Sequence, residues 1–283
     1  YFLDELKKGR TPNPDVMCNK YIKFDYFVKE AKKLGAKYIA TGHYARIVDH
    51  QLYKGLDENK DQTYFLAQLT SEQLENVLFP IGDLNKKEVR KIASDYDLIT
   101  KDKKDSTGIC FIGERHFKDF LENYLPNLPG DIVDIATGKV IGKHIGLMYY
   151  TIGQRRGLNI GGNLERQFVV GKDLKKNILY TAVGEDNPYL FSDSCIIDSL
   201  VLNTDEKIEK CNAKFRYRSK DVPVRLTYLN DQEILVSYDK AKSVTPGQLC
   251  ALYQEDGRCL GSGIIKEVRK DNKPLWYLLP KED

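Results

Sequence analysis

Apolar residues recur at helical spacing in the first part of the chain and at alternating spacing in the last part. Phe24, Phe27, Val28, Ala31 and Leu34 fall on one side of a helix. Asn19 is placed to cap that helix, and Gly35 to end it. Upstream, Phe2-Leu3-Asp4-Glu5-Leu6 reads as the tail of another helix. Tyr38-Ile39-Ala40-Thr41 reads as a short buried strand with Gly42 and His43 at its carboxyl end. Helix followed by buried strand points to a parallel α/β sheet, whose ligands bind at the carboxyl ends of strands.

Asn85 and Glu88 bracket a further helix start, with Val89, Ile92, Ala93 and Tyr96 on one face. Phe117, Phe120, Leu121 and Tyr124 form another stripe, read as core and not as a base-stacking platform. Pro126-Asn127-Leu128-Pro129-Gly130 breaks the helical pattern and marks a domain boundary. Short apolar segments follow at Ile132-Val133, Val140-Ile141-Gly142 and Phe168-Val169-Val170-Gly171, predicting a small β-rich domain. From about Phe191 the pattern is strands joined by turns. Val222, Val224, Leu226 and Tyr228 alternate with other residues, and Ile234-Leu235-Val236 follows the Leu229-Asn230-Asp231 turn. Ala251-Leu252-Tyr253 and Gly263-Ile264-Ile265 continue the series, which predicts an antiparallel barrel.

Composition changes this picture little. The 283 residues suffice for two or three domains, and an apolar fraction of 41% fits a globular protein. No run of about eighteen apolar residues is present, so no membrane span is expected. A net charge of +3 neither demands nor excludes nucleic acid. Its distribution is more telling: basic groups cluster at Lys7-Lys8-Gly9-Arg10, Lys101-Asp102-Lys103-Lys104, Arg155-Arg156 and Arg216-Tyr217-Arg218. Such clusters serve as solvated faces or as phosphate sites, and their position beside unusual loops shifts the reading toward RNA.

Six cysteines are present and form no C-x-x-C pair, which argues against a structural zinc site, and the chain is too large and too sparse in cysteine for a disulfide scaffold. Cys195, Cys211, Cys250 and Cys259 read as small core or surface residues. Cys18 and Cys110 differ. Gly9-Arg10-Thr11-Pro12-Asn13-Pro14-Asp15-Val16-Met17-Cys18-Asn19 and Lys104-Asp105-Ser106-Thr107-Gly108-Ile109-Cys110-Phe111 each set a cysteine among turn residues, just before an expected helix. Backbone N–H groups and the helix dipole favour a thiolate there, which suggests sulfur or redox chemistry. Two unrelated buried cysteines are the other reading.

Both stretches closely resemble the tRNA-specific 2-thiouridylase family. The likeness continues through Ala40-Thr41-Gly42-His43-Tyr44, Gly55-Leu56-Asp57, Asn59-Lys60-Asp61-Gln62, Gly146-Leu147-Met148-Tyr149 and Thr151-Ile152-Gly153-Gln154-Arg155. It ends in Gly161-Gly162, Arg216-Tyr217-Arg218 and Val244-Thr245-Pro246-Gly247-Gln248, so it covers nearly the whole chain in order. The resemblance implies an α/β plus β fold. A truncated Rossmann-like ATP-pyrophosphatase (adenine nucleotide alpha hydrolase-like) domain is expected over residues 1–125. A small β-rich tRNA-binding domain is expected over 126–190, and a C-terminal antiparallel β-barrel over 191–283.

It also implies the chemistry. ATP, with Mg²⁺, activates O2 of the wobble uridine of tRNA. A cysteine desulfurase or sulfur-relay protein loads sulfur as a persulfide, which attacks C2. One cysteine donates and one resolves. Cys110 resembles the persulfide carrier, and Cys18 the nucleophile that ends disulfide-bonded to it. Asn13, Pro14 and Asp15 match the segment that holds the flipped base; Asp15 suits a general acid or base, or an Asx-turn cap. Gly42 matches an ATP contact. His43, Lys60, Asp61, Gln62, Arg216, Tyr217 and Gln248 match tRNA contacts. Lys60 and Arg216 suit phosphates, and Tyr217 suits stacking. From the residues alone, His43 also fits a hydrogen-bonded histidine at a strand end, and Arg216-Tyr217-Arg218 a barrel strand with outward charges.

The phosphate-cradling Ser-Gly-Gly-x-Asp-Ser loop of that family does not occur in these residues. The expectation is therefore a fragment that is inactive alone, from a cytoplasmic protein or a mitochondrial one, with no membrane partner. Two other classes remain in play. One is a non-catalytic tRNA-binding fragment. The other is a thiol hydrolase pairing Cys110 with His43 or His116.

Overall fold

The computed structural model describes residues 1–102, 117–161 and 165–278. Cys110 and His116 lie outside them. The first part of the chain is mainly helical. After α1 (Phe2–Lys7), three helical stretches run on without a break: Pro14–Met17, a π-helical Cys18–Tyr26, and Phe27–Lys33. Together they form α2, residues 14–33.

Two expectations about α2 change. Its cap is Asn13, whose Oδ1 accepts from the Val16 N–H at 3.3 Å, while Asn19 lies inside the helix and donates to the Phe65 carbonyl. The buried positions are Val16, Asn19, Phe24 and Val28, whereas Phe27 and Leu34 are exposed. The five-residue step from Asn19 to Phe24 is the longer repeat of a π segment, so a stripe drawn at α-helical spacing drifts off the buried face. Gly35 does follow the helix end, with φ +89°.

Strand β1 (Ile39–Ala40) pairs in parallel with β4 (Val77–Leu78), beyond the hairpin of β2 (Ala45–Val48) and β3 (Gln51–Lys54). The expected buried strand is thus only two residues long, and Ala40 is exposed. Between β3 and β4 lie α3 (Thr63–Leu66) and α4 (Ser71–Leu74). Helix α5 (Lys86–Asp95) carries the expected capping box, with the Asn85 and Glu88 side chains each bonding the other's backbone N–H. Its apolar face is not buried, however: Ile92 and Tyr96 are exposed. In α6 (Phe117–Glu122) Leu121 is core, while Tyr124 just beyond it is exposed.

The central sheet has the order β6-β5-β8-β7, from β5 (Gly130–Asp134), β6 (Val140–His144), β7 (Gln167–Asp173) and β8 (Ile178–Val183). Strands β5 and β8 are parallel and the other pairs antiparallel. The barrel strands are β9 (Phe191–Leu202), β10 (Lys210–Lys214), β11 (Val222–Tyr228), β12 (Ile234–Lys242), β13 (Leu249–Tyr253) and β14 (Cys259–Lys270), with β15 (Lys273–Pro274) at the end. The order β13-β10-β11-β12-β9-β14 closes through antiparallel pairing of β13 with β14, giving six strands and no open edge.

Alternation within single strands joins the parts. In β13, Cys250 and Leu252 enter the barrel core, while Leu249, Ala251 and Tyr253 pack with Val16, Phe24 and Tyr64 of the first part. In β7, Phe168 and Val170 pack against the barrel, and Val169 against the core of the central domain. Each strand thereby serves two cores, and the first and central parts are both built onto the barrel.

Candidate functional site

Asn13, Pro14 and Asp15 form the first turn of α2, and Cys18 lies one turn further in. Pro14 suits that first position because its missing N–H would have had no partner in the helix. Cys18 is therefore not at the free N-terminal end of a helix: its backbone N–H is bonded to the carbonyls of Pro14 and Asp15. The cysteine instead faces a cavity of about 660 Å³, lined also by Pro14, Met17, Lys20, Tyr21 and Gln68. The Lys20 Nζ donates to Gln68 Oε1 at 2.8 Å, and burial pulls the lysine below its ordinary pKa. Gln68 is itself held by the Ser199 carbonyl and by Ser262.

Gly42 follows β1. Its backbone is open, with no atom within 4 Å of where a Cβ would stand. His43 Nδ1 is 2.8 Å from Thr41 Oγ1, and the ring lies 5.7 Å from Phe24 and 5.8 Å from Phe79. Burial, assisted by the charge of Lys23, pushes its pKa down to about 4. At neutral pH the ring is an uncharged imidazole, able to donate and accept but not to attract a phosphate by charge.

The remaining matched residues are engaged within the fold. Asp61 is buried, and its Oδ1 accepts from the N–H of Gly55, the N–H of Thr63 and the Thr63 hydroxyl. Lys214 stands 3.8 Å from its other oxygen and 3.6 Å from Asp221, which also pairs with Lys54. The Gln62 Oε1 accepts from the Tyr44 N–H at 3.0 Å. This network sets the loop that carries Lys60, which is half-buried. Arg216 lies in the loop after β10 and not in a strand. Its Nη2 donates to the Ile152 carbonyl at 2.5 Å and to Thr245 Oγ1 at 2.8 Å, and burial lowers its pKa. Tyr217 packs on Phe65, ring centres 4.4 Å apart. The Gln248 Nε2 donates to the Thr11 carbonyl at 2.7 Å.

The fold thus brings Gln248 to the segment headed by Asn13 and stacks Tyr217 on the helix that follows Gln62. Cys110 lies outside the described residues. Among those residues no three His, Cys, Asp or Glu side chains gather as metal ligands. Cys195, Cys250 and Cys259 are buried, and burial raises the Cys211 and Cys259 thiols to about 12, so neither of those two is poised to ionise. Lys172, Lys214 and Asp221, whose bonds hold these loops, are not among the motif residues of the sequence. A lysine closing the apolar run Phe168–Lys172 was the one visible signal.

Three family models match in succession. The tRNA methyl transferase HUP domain covers residues 1–114, the tRNA methyl transferase PRC-barrel domain 118–183, and the aminomethyltransferase beta-barrel domain 192–265. The chain is 51% identical over 279 residues to the tRNA-specific 2-thiouridylase MnmA of Mycoplasmopsis synoviae, covering 98% of this chain and 75% of that protein. It is 56% identical over 291 residues to the protein of the same name from Bacillus licheniformis, covering 98% and 77%. For Staphylococcus aureus the identity is 53% over 290 residues, covering 99% and 77%. A HUP domain, a PRC-barrel and a closed β-barrel in this order define the class. The chain belongs to the tRNA-specific 2-thiouridylase family.

Proposed function

We propose that the chain acts in ATP-dependent thiolation at C2 of the wobble uridine of tRNA, with sulfur delivered as a persulfide by a cysteine desulfurase or relay protein. The observation that carries this reading is that Pro14 and Cys18 line one cavity, in the first turns of a helix capped by Asn13. A base taken out of its stack needs a shaped pocket beside the reacting thiol. Identity above one half to proteins named for this activity supports the reading. The division at 1–125, 126–190 and 191–283 belongs to it, and so does a cytoplasmic setting. No described helix is long and apolar enough to cross a membrane.

ATP, when bound, makes O2 of the uridine a leaving group. Gly42, open at the carboxyl end of β1, fits an approach of the nucleotide to backbone. Asn13, Pro14 and Asp15 hold the base, with Asp15 moving a proton at the reacting carbonyl. Sulfur arrives on Cys110 as a persulfide whose terminal sulfur bonds to C2 as the oxygen leaves. The Cys18 thiolate then attacks the Cys110 sulfur. The bond between the two persulfide sulfurs breaks, thiouridine is released, and a Cys18–Cys110 disulfide remains for an external dithiol to reduce. His43, Lys60, Asp61, Gln62, Arg216, Tyr217 and Gln248 form the tRNA-facing set, several of them by shaping loops. The test supplies the protein, in its full reading frame, with tRNA, ATP and a desulfurase relay. Retarded tRNA on an organomercury gel is expected. Unretarded tRNA with a working relay would overturn the reading.

A further inference from the structure

Residues 9–11, just before Asn13, are held from two sides. The Gly9 carbonyl accepts from the Nζ of Lys172, a buried central-domain lysine, at 3.2 Å. Gly9 has φ +74°, and a Cβ there would stand 2.9 Å from the side chain of Leu174. From the barrel side, the Thr11 N–H donates to the Pro246 carbonyl at 2.9 Å, and the Thr11 carbonyl accepts from Gln248. Gly247, at φ +89°, passes so close that a Cβ would lie 2.9 Å from the Thr11 nitrogen. Arg10, between them, is tied to Glu5 at 3.2 Å.

We propose that residues 9–11 are a strap pinned by the central domain and the barrel, and that Lys172 and Gly247 are positioning residues for Asp15 and Cys18. This rests on the function proposed above. The helix carrying both groups starts three residues after Thr11, so a displaced strap moves the nucleophile as a body. A methionine at 172 would keep the length of the lysine and lose the bond to Gly9. An alanine at 247 would need both a left-handed backbone and space that Thr11 occupies. A misplacement of about 1 Å can lower a rate by about 10²-fold.

The experiment is amide hydrogen exchange on the full chain for Lys172→Met and Gly247→Ala, with thiolation kcat and tRNA Kd measured alongside. Expected is faster exchange confined to residues 11–19 and a kcat lower by about 10²-fold, a larger fold-change than any in Kd. If Gly247→Ala does not fold, Lys172→Met decides. Unchanged exchange at 11–19, or a loss spread evenly over the barrel strands, would overturn the strap. Absence of thiouridine with the parent protein would contradict the proposed function, and the exchange result would still decide the strap.

Discussion

Arg216 donates to the Ile152 carbonyl at 2.5 Å, so a loop of the barrel is tied to the central domain by one guanidinium. The same nitrogen bonds Thr245, which in turn donates to the Ser243 carbonyl. Gly153, next to Ile152, has φ +82°, and a Cβ there would come 2.5 Å from Ser243 Oγ. The seam therefore depends on one arginine nitrogen that donates twice and on a residue with no side chain.

Arg216→Lys keeps the charge but puts it on a shorter-reaching ammonium in place of the planar guanidinium whose Nη2 meets both acceptors. Thermal unfolding should show a loss of about 2 kcal/mol, the usual scale for hydrogen bonds to charged groups. The salt dependence of tRNA binding should stay at the parent's value. Arg216→Ala should lose similar stability and flatten the plot of log K against log salt by about one, as expected for one lost phosphate contact. An unaltered slope in Arg216→Ala would leave the arginine with its seam role alone.

Asp61 makes a second prediction. Alanine there would leave the N–H groups of Gly55 and Thr63 without their acceptor and would remove one partner of buried Lys214. The expected loss for Asp61→Ala is about 3 kcal/mol, from the two N–H groups left without an acceptor together with the broken pair. Asp61→Asn retains an acceptor oxygen and should lose clearly less. Denaturant titration of both variants checks this, and equal losses would mean that the charge, not the acceptor, holds the loop.

These two residues also show where sequence reading stops. Local features were legible: the Asn85–Glu88 capping box, Gly35 after its helix, and the alternation of Val224 and Leu226 into the barrel core. Each depends on neighbours a few positions away. Arg216, Asp61 and Gln248 match tRNA contacts only through the resemblance to the family. Their partners within the fold, Ile152, Lys214 and Thr11, are far off in sequence and invisible to periodicity. The π-helical run through Cys18–Tyr26 escapes the pattern for another reason: its repeat is longer than that of an α-helix. The exposed face of α5 carried the same amphipathic pattern as a buried one, since pattern reports capacity to pack and not what is packed.

Acid stability should depend on His43. Its folded pKa of about 4 lies below the ordinary 6.5, so between these values the unfolded chain binds the extra proton. Stability contributed by the neutral ring is present above about pH 6.5 and is lost as pH falls toward 4. His43→Asn should flatten that limb in unfolding curves measured from pH 7 to 4. A parent and variant with parallel limbs would contradict the assignment.

Lys172 predicts the alkaline counterpart. Burial pulls it down to about 7 from 10.5, so across that interval the folded chain binds fewer protons than the unfolded one. Stability therefore rises with pH from about 7 to about 10 and is lost as pH falls through the same window, by up to about 1.4 kcal/mol per pH unit. The difference in stability between parent and Lys172→Met isolates this group. A difference that stays flat over the window would show that the lysine titrates normally.

In the proposed reaction Cys110 carries the sulfur and Cys18 releases it. Mass spectrometry of peptides after incubation with a cysteine desulfurase relay tests this most directly, in the parent, in Cys110→Ser and in Cys18→Ser. A persulfide is expected on Cys110 in the parent and in Cys18→Ser, and none in Cys110→Ser. A persulfide found on Cys18 in either the parent or Cys110→Ser would contradict it.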